Sequence, residues 1–167
     1  MFLLAAAVPI MGVSHAAGQD IPQTAAHPEA VPYDDALTRE AVDADVGLAL
    51  GRAKSSGKFS IIVLGANWCH DSRALAGWFE SERFKPVLSQ KFELVFVDAG
   101  MPQFKGRGRN QHLVKRFGGK KQKNTPYVMI LSAEGKLLNR DKARIWRNAA
   151  SRSEDEIFDY FARFSAR

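Results

Sequence analysis

The chain has 167 residues, a single cysteine, and a formal net charge of +6 from 24 basic and 18 acidic residues. That length suits one domain, one cysteine excludes an intramolecular disulfide, and no apolar stretch beyond the N-terminus is long enough to span a bilayer. The charge is uneven: residues 101–123 hold eight basic residues (Lys105, Arg107, Arg109, Lys115, Arg116, Lys120, Lys121 and Lys123) and no acidic one. With these set aside, 16 of the 24 basic residues face 18 acidic ones, so a slightly acidic body carries one strongly basic segment.

In chain order, the first 18 residues, MFLLAAAVPIMGVSHAAG, carry no charge. An apolar run closes on small residues, with Ser14-His15-Ala16 as a small-x-small cleavage site. Residues 1–16 therefore read as a secretory signal peptide without the usual basic start, which places the mature protein in the periplasm or outside the cell. Residues 17–33, with Pro22, Pro28 and Pro32, read as a linker, and 34–167 as the domain. Residues 34–54 have helical composition, with Leu37, Val42, Val46, Leu48 and Leu50 among acidic and alanine residues, and Ser55-Ser56-Gly57 ends the run. Residues 59–65 form a continuous apolar run suited to a strand buried on both faces.

A helix is predicted after Cys69, with Leu75, Trp78 and Phe79 on one face, and a short helical turn over 82–90. Residues 92–97 form a second strand that ends at Asp98. Within the basic segment, residues 110–117 suit a helix with Leu113, Val114 and Phe117 inward, stopped by Gly118-Gly119. A third strand spans 127–131, and the turn at Ala133-Glu134-Gly135 predicts a return strand over 136–139. The last helix opens on a capping box, Ser153-Glu154-Asp155-Glu156, and turns Ile157, Phe161 and Phe164 to the core with Tyr160 beside them. The fold class is α/β: a mixed sheet flanked by helices on both faces, its first two strands parallel through a right-handed crossover.

Strand, then Trp68-Cys69-x-x-Ser72, then helix, with Asp98 closing the second strand and Thr125-Pro126 before the third, resembles the thioredoxin superfamily over about residues 43–164. The stretch GANWCHDSR is most similar to a branch that holds exported bacterial proteins and the anterior-gradient proteins, some of which carry Cys-x-x-Ser. The resemblance implies a thioredoxin-like fold, a nucleophile at Cys69 and a cis peptide bond before Pro126. Two departures stand out. Ser72 replaces the resolving cysteine, and Val63 occupies the position of the buried acid that serves proton transfer in thioredoxin itself. Both argue against a dithiol reductase. The basic segment is also longer than the family's usual connection.

Cys69 at a helix N-terminus meets unpaired backbone N–H groups that favour a thiolate, and only a thiolate attacks a disulfide sulfur; the plainer alternative is a small inert hydrophobe. Ser72, three residues on, offers a hydroxyl to that thiolate but cannot resolve a mixed disulfide, so an outside thiol or another thiol of the substrate must, which suits isomerisation or a glutathione-coupled reaction. A protonated His70 would favour the thiolate, and Asp71 would oppose it while suiting the helix N-terminus. Cys69, His70 and Asp71 are consecutive, and His112 is the only other histidine of the expected domain, so no metal site is expected. Trp68, Thr125 and Pro126 are the expected rim for an extended substrate, with Lys121 and Lys123 as a cationic approach. No bound cofactor is expected, glutathione is a candidate co-substrate, and the partners are thiol- or disulfide-bearing clients. The Gly106-Arg107-Gly108-Arg109 loop lacks the interleaved aromatics of a nucleic-acid module, so neither nucleic acid nor, after signal cleavage, membrane is expected. Three readings stay open: monothiol–disulfide exchange through Cys69, a non-catalytic client-binding module, and anionic-partner binding through residues 105–123.

Overall fold

The computed structural model describes residues 27–100 and 108–164. The expected signal peptide, the first part of the expected linker, Lys105 and Arg107 lie outside the described residues. The elements are α1 (Arg39–Ser56), β1 (Phe59–Gly65), α2 (His70–Phe79), α3 (Phe84–Lys91), β2 (Phe92–Asp98), α4 (Gln111–Arg116), β3 (Tyr127–Leu131), a 3₁₀ turn (Ala149–Ser151) and α5 (Glu154–Ala162). None of the helices among the described residues is long and apolar enough to cross a membrane.

β1 is the central strand of a three-stranded sheet ordered β2-β1-β3. It runs parallel to β2, with Val63 opposite Phe96 and Gly65 opposite Asp98, and antiparallel to β3, with Ile62 opposite Met129. Because successive side chains alternate across a strand, its apolar run feeds two cores at once. Ile61 and Val63 point to one face, where they pack with Leu75 and Phe79 of α2, Phe84 of α3, Phe161 of α5 and Trp146. Ile62 and Leu64 point to the other, with Val42 and Val46 of α1, Leu113 and Val114 of α4, and Met129. All four are fully buried, each adding about 1.5–3 kcal/mol of apolar burial, which is why the segment reads as continuous rather than alternating. The expected α/β architecture with helices on both faces is thus the observed one.

Local signals set the helix ends. α1 starts later than composition suggested. Asp34 Oδ1 accepts the Ala36 N–H at 2.8 Å in a side-chain turn, and Thr38 is the true N-cap, its Oγ1 accepting the Ala41 N–H. Gly57, at φ 70°, closes the helix in the left-handed conformation. α5 begins with the expected capping box between Ser153 and Glu156.

Two expectations are corrected. Residues 136–139 do not form a fourth strand; Leu137 makes a single bridge to Leu131. The Asn139 side chain replaces the missing ladder: its Oδ1 accepts from Ile130 N–H at 2.9 Å and its Nδ2 donates to Val128 C=O at 2.9 Å, while Ala143 C=O takes the Val128 N–H. The buried Asn139 amide thus satisfies two edge groups of β3, and Ala143 C=O and Leu138 N–H satisfy two more, a task that would otherwise need a paired strand.

The second correction concerns residues 27–33, expected in a linker. They strap across α2. Ala30 N–H donates to Arg73 C=O at 3.1 Å, and the backbone of Pro28 lies where only a glycine fits, 2.4 Å from an ideal Cβ built on Gly77. Tyr33 is 2% exposed. Its ring fills the space a side chain on Gly65 would need, with Cζ 2.4 Å from such a Cβ.

Gly65→Ala is therefore expected to lower stability by about 1–3 kcal/mol through overpacking, and Tyr33→Ala by about 3–5 kcal/mol through cavity formation. The two effects should be non-additive, with Gly65→Ala costing less in the Tyr33→Ala background than alone. Urea unfolding of the four proteins of the cycle measures this; strict additivity would mean that the ring and Gly65 do not compete for the same space.

Candidate active site

β1 delivers the chain to the site. After Gly65 the loop is fixed by Asn67, whose side chain grips the strap's backbone: Oδ1 accepts the Tyr33 N–H at 3.1 Å and Nδ2 donates to Tyr33 C=O at 2.8 Å. Cys69 N–H then donates to Ala66 C=O at 3.0 Å, and Cys69 C=O accepts the first helical bond, from Arg73 N–H. Cys69 is the N-cap of α2, with extended backbone (φ −88°, ψ 115°), and its side chain makes no capping bond to the first-turn N–H groups. Its thiol is free and half-buried. The Sγ lies 3.6 Å from Thr125 C=O, and the Thr125–Pro126 bond is cis. The structure therefore brings together Trp68, Cys69, Thr125 and Pro126 across 56 residues of chain.

Trp68 is 42% exposed, its Nε1 donating to Gly100 C=O at 3.1 Å. It lines a groove of about 800 Å³ whose walls include Thr125, Lys121, Lys123, Arg140 and Arg147. No acidic residue is among the described groove residues. Lys120, by contrast, pairs with Asp141. Arg140 and Arg147 were not foreseen; they lie beyond β3, and only the folded return of the chain brings them opposite the basic segment. Arg140 Nε donates to Gly118 C=O at 2.9 Å, tying the two sides together.

Ser72 differs from expectation. It is fully buried, its Oγ has no hydrogen-bond partner among the described residues, and its carbonyl accepts from Tyr33 Oη at 3.4 Å. Its hydroxyl is thus packed inside α2's contact surface and makes no bond to Cys69. Asp71 is also structural: its Oδ1 accepts the Ala150 N–H at 3.0 Å, fastening α2 to the 3₁₀ turn. His112 pairs with Asp43 at 2.8 Å, linking α4 to α1 away from the thiol. His70 turns to the strap, its Nδ1 3.2 Å from Glu29 Oε1 and its Nε2 3.1 Å from His27 Nε2. His27 and Glu29 carry no local signal of a site, because the proline-rich composition of residues 17–33 reads as a linker.

Val63 is fully buried where thioredoxin places its acid. A different carboxyl lies nearby: Asp98, 6% exposed, beside Gly65 in the sheet register. Burial pushes its carboxyl above the usual carboxylate range; the Gly100 N–H and Arg109 pull it down, and Asp34 and Asp35 add repulsion. The folded state therefore binds the Asp98 proton more tightly than the unfolded chain does, so this group's contribution to stability falls as pH rises from the unfolded value, about 4, through the raised folded one. Asp98→Asn keeps an acceptor for the Gly100 N–H and removes the titration. Its stability relative to the wild type should increase across that window and level off above it, as read by urea unfolding at stepped pH. A flat difference would show that burial does not govern Asp98.

A family model described as thioredoxin-like matches residues 41–133. The chain is also similar to a solved structure, a disulphide isomerase from Xylella fastidiosa Temecula1, with TM-score 0.69 and 30% identity over 80% of this chain and 95% of that one. No curated protein matches the chain.

Proposed function

This chain belongs to the thioredoxin-like family, and from that premise we propose that it is an exported protein whose Cys69 performs thiol–disulfide exchange without a resolving thiol of its own. The observation that carries this reading is the placement of the half-buried Cys69 Sγ at an uncapped helix start, 3.6 Å from the Thr125 carbonyl of the cis bond. The similarity to a disulphide isomerase supports the same chemistry, and the uncharged apolar first 18 residues support export.

The exchange balances without a cofactor. The Cys69 thiolate attacks one sulfur of a client disulfide; a Cys69–client bond forms, and the client's other sulfur leaves as a thiolate. With no second cysteine in the chain, the Cys69-linked sulfur is next attacked by another client thiolate, which expels Cys69 and leaves the client rearranged with no net transfer of electrons. Alternatively, glutathione resolves the adduct and the client is reduced at the expense of two glutathione thiols. An extended client would lie against Trp68, Thr125 and Pro126. His70 acts in this reading as a neighbour of the thiol, and Ser72 as packing beneath it.

A second reading, binding of an anionic partner, is favoured by one observation: Lys115, Lys121, Lys123, Arg140 and Arg147 line the groove with no acidic residue among them. The two readings meet if the anion is itself a thiol or disulfide.

Incubating the reduced chain with glutathione disulfide is expected to add one glutathionyl group at Cys69, persisting until an external thiol is supplied, with none on Cys69→Ser. Intact mass and peptide mapping read this, and reaction no faster than that of free cysteine at the same pH would defeat the exchange reading. Lys121→Ala with Lys123→Ala should slow adduct formation roughly tenfold at low ionic strength, through lost steering of the anion. The same pair should leave the rate with an uncharged disulfide unchanged. Equal slowing with both reagents would remove the lysines from the approach.

A further inference from the structure

We propose that His27 and His70 form a binding site for a divalent transition ion of the imidazole-preferring kind, Zn²⁺ in the first instance, with Glu29 orienting one of the two rings. The inference goes beyond the exchange reading and does not depend on it. Each ring's tautomer follows from what its other nitrogen meets. The His70 Nδ1 faces Glu29 Oε1 at 3.2 Å, and a carboxylate only accepts, so Nδ1 carries the proton and Nε2 of the neutral ring presents a lone pair. The His27 Nδ1 faces Pro28 C=O at 3.4 Å, a carbonyl that likewise only accepts, so its Nε2 also presents a lone pair. These two Nε2 atoms lie 3.1 Å apart. Two lone pairs at that distance repel unless a cation joins them.

A metal ion fits the separation. With Zn–N bonds of 2.0–2.1 Å in tetrahedral geometry, two imidazole ligands hold their nitrogens roughly 3.3 Å apart. The surroundings match the usual support of such a site, in which a ligating imidazole donates its second N–H to a carboxylate. Glu29 is itself held: its Oε2 accepts from Arg73 Nε at 3.0 Å, which leaves Oε1 for His70. The donor atoms of His27, Glu29 and His70 lie within 4.8 Å of one another. Imidazole donors favour zinc, copper or nickel over magnesium and calcium, which prefer oxygen. His70 and Glu29 are exposed and His27 half-buried, so water fills the remaining positions. The ion would pin the strap to the first turn of α2, one residue from Cys69.

The alternative joining cation is a proton shared between the rings, and a metal titration separates the two. The metal-free full chain is titrated with Zn²⁺ against a chromophoric zinc indicator, and the histidine ring nitrogens are followed by NMR. One equivalent of Zn²⁺ should bind, shifting the Nε2 resonances of His27 and His70 and leaving those of His112 in place. His27→Ala and His70→Ala should each weaken binding by at least roughly tenfold, and Glu29→Gln by about 10–100-fold, the range for such supporting carboxylates. Cys69→Ser should leave the affinity unchanged. Because that variant lacks the thiol, its result stands whether or not Cys69 performs exchange. No binding by the wild-type chain, binding unaffected by His27→Ala, or binding lost in Cys69→Ser would each overturn the proposal.

Discussion

Everything in this molecule is hung on β1. The strand is paired along both edges, parallel to β2 and antiparallel to β3, and buried from Ser60 to Gly65. Its odd and even side chains belong to two separate cores. A one-residue slip would exchange Ile61 and Val63 for Ile62 and Leu64 and mismatch both cores together. Register is therefore specified twice over, and with it the point at which the chain leaves the sheet. That exit places Asn67, Trp68 and Cys69 between the sheet and the first turn of α2. The position of the thiol is a consequence of apolar packing several residues upstream, and no polar bond to the cysteine side chain is needed to establish it.

The exit is held from the other side by the strap. Tyr33 occupies the space beside Gly65, and the Asn67 amide closes on both backbone polar groups of Tyr33. The loop before Cys69 is thus clamped between a strand and a segment that precedes the first helix. A side chain at Gly65 would collide with the ring, and loss of the ring would open a cavity under Ser72 and the start of α2. The glycine, the tyrosine and the asparagine form one device, although they lie up to 34 residues apart in sequence.

Much of this was legible in the sequence, for physical reasons that differ by residue. β1 and β3 were readable because β-branched and aromatic runs with no charge suit a doubly buried strand and little else. α5 was readable because Ser153 and Glu156 satisfy each other's backbone partners locally. Cys69, Trp68 and Pro126 were readable because the resemblance fixes their order along the chain. What failed was non-local. The strap looked like a linker because Pro28 and Pro32 are turn residues by composition, and nothing local to Tyr33 announces a cavity beside Gly65. The turn at Gly135 predicts a fourth strand, but the Asn139 side chain, with single backbone bonds from Leu138 and Ala143, covers the β3 edge in place of a ladder. Helical spacing and the Cys-x-x-Ser motif both set Ser72 beside the thiol, but neither reveals that Ser72 is fully buried with its carbonyl under the Tyr33 hydroxyl. Arg140 and Arg147 join the groove only after the chain returns from β3.

The departure from dithiol chemistry runs deeper than one substitution. Ser72 is sealed beneath the site, Val63 is apolar where a proton-transferring acid would stand, and the nearest buried carboxyl, Asp98, is engaged by Gly100 N–H and Arg109. Among the described residues, the lone thiol meets the Thr125 carbonyl but neither a resolving thiol nor a proton-transferring acid. In the proposed exchange both must arrive with the substrate, so the features that matter are those that receive one: the exposed Trp68 edge, the Thr125 carbonyl, and a groove whose described residues include lysine and arginine but no acid. The first turn of α2 also has a second neighbour. Where the Cys69 thiol meets the Thr125 carbonyl, His70 faces the strap, so adjacent residues of one helix start serve two different surfaces, and a cation held between His27 and His70 would stiffen the very turn from which the thiol projects.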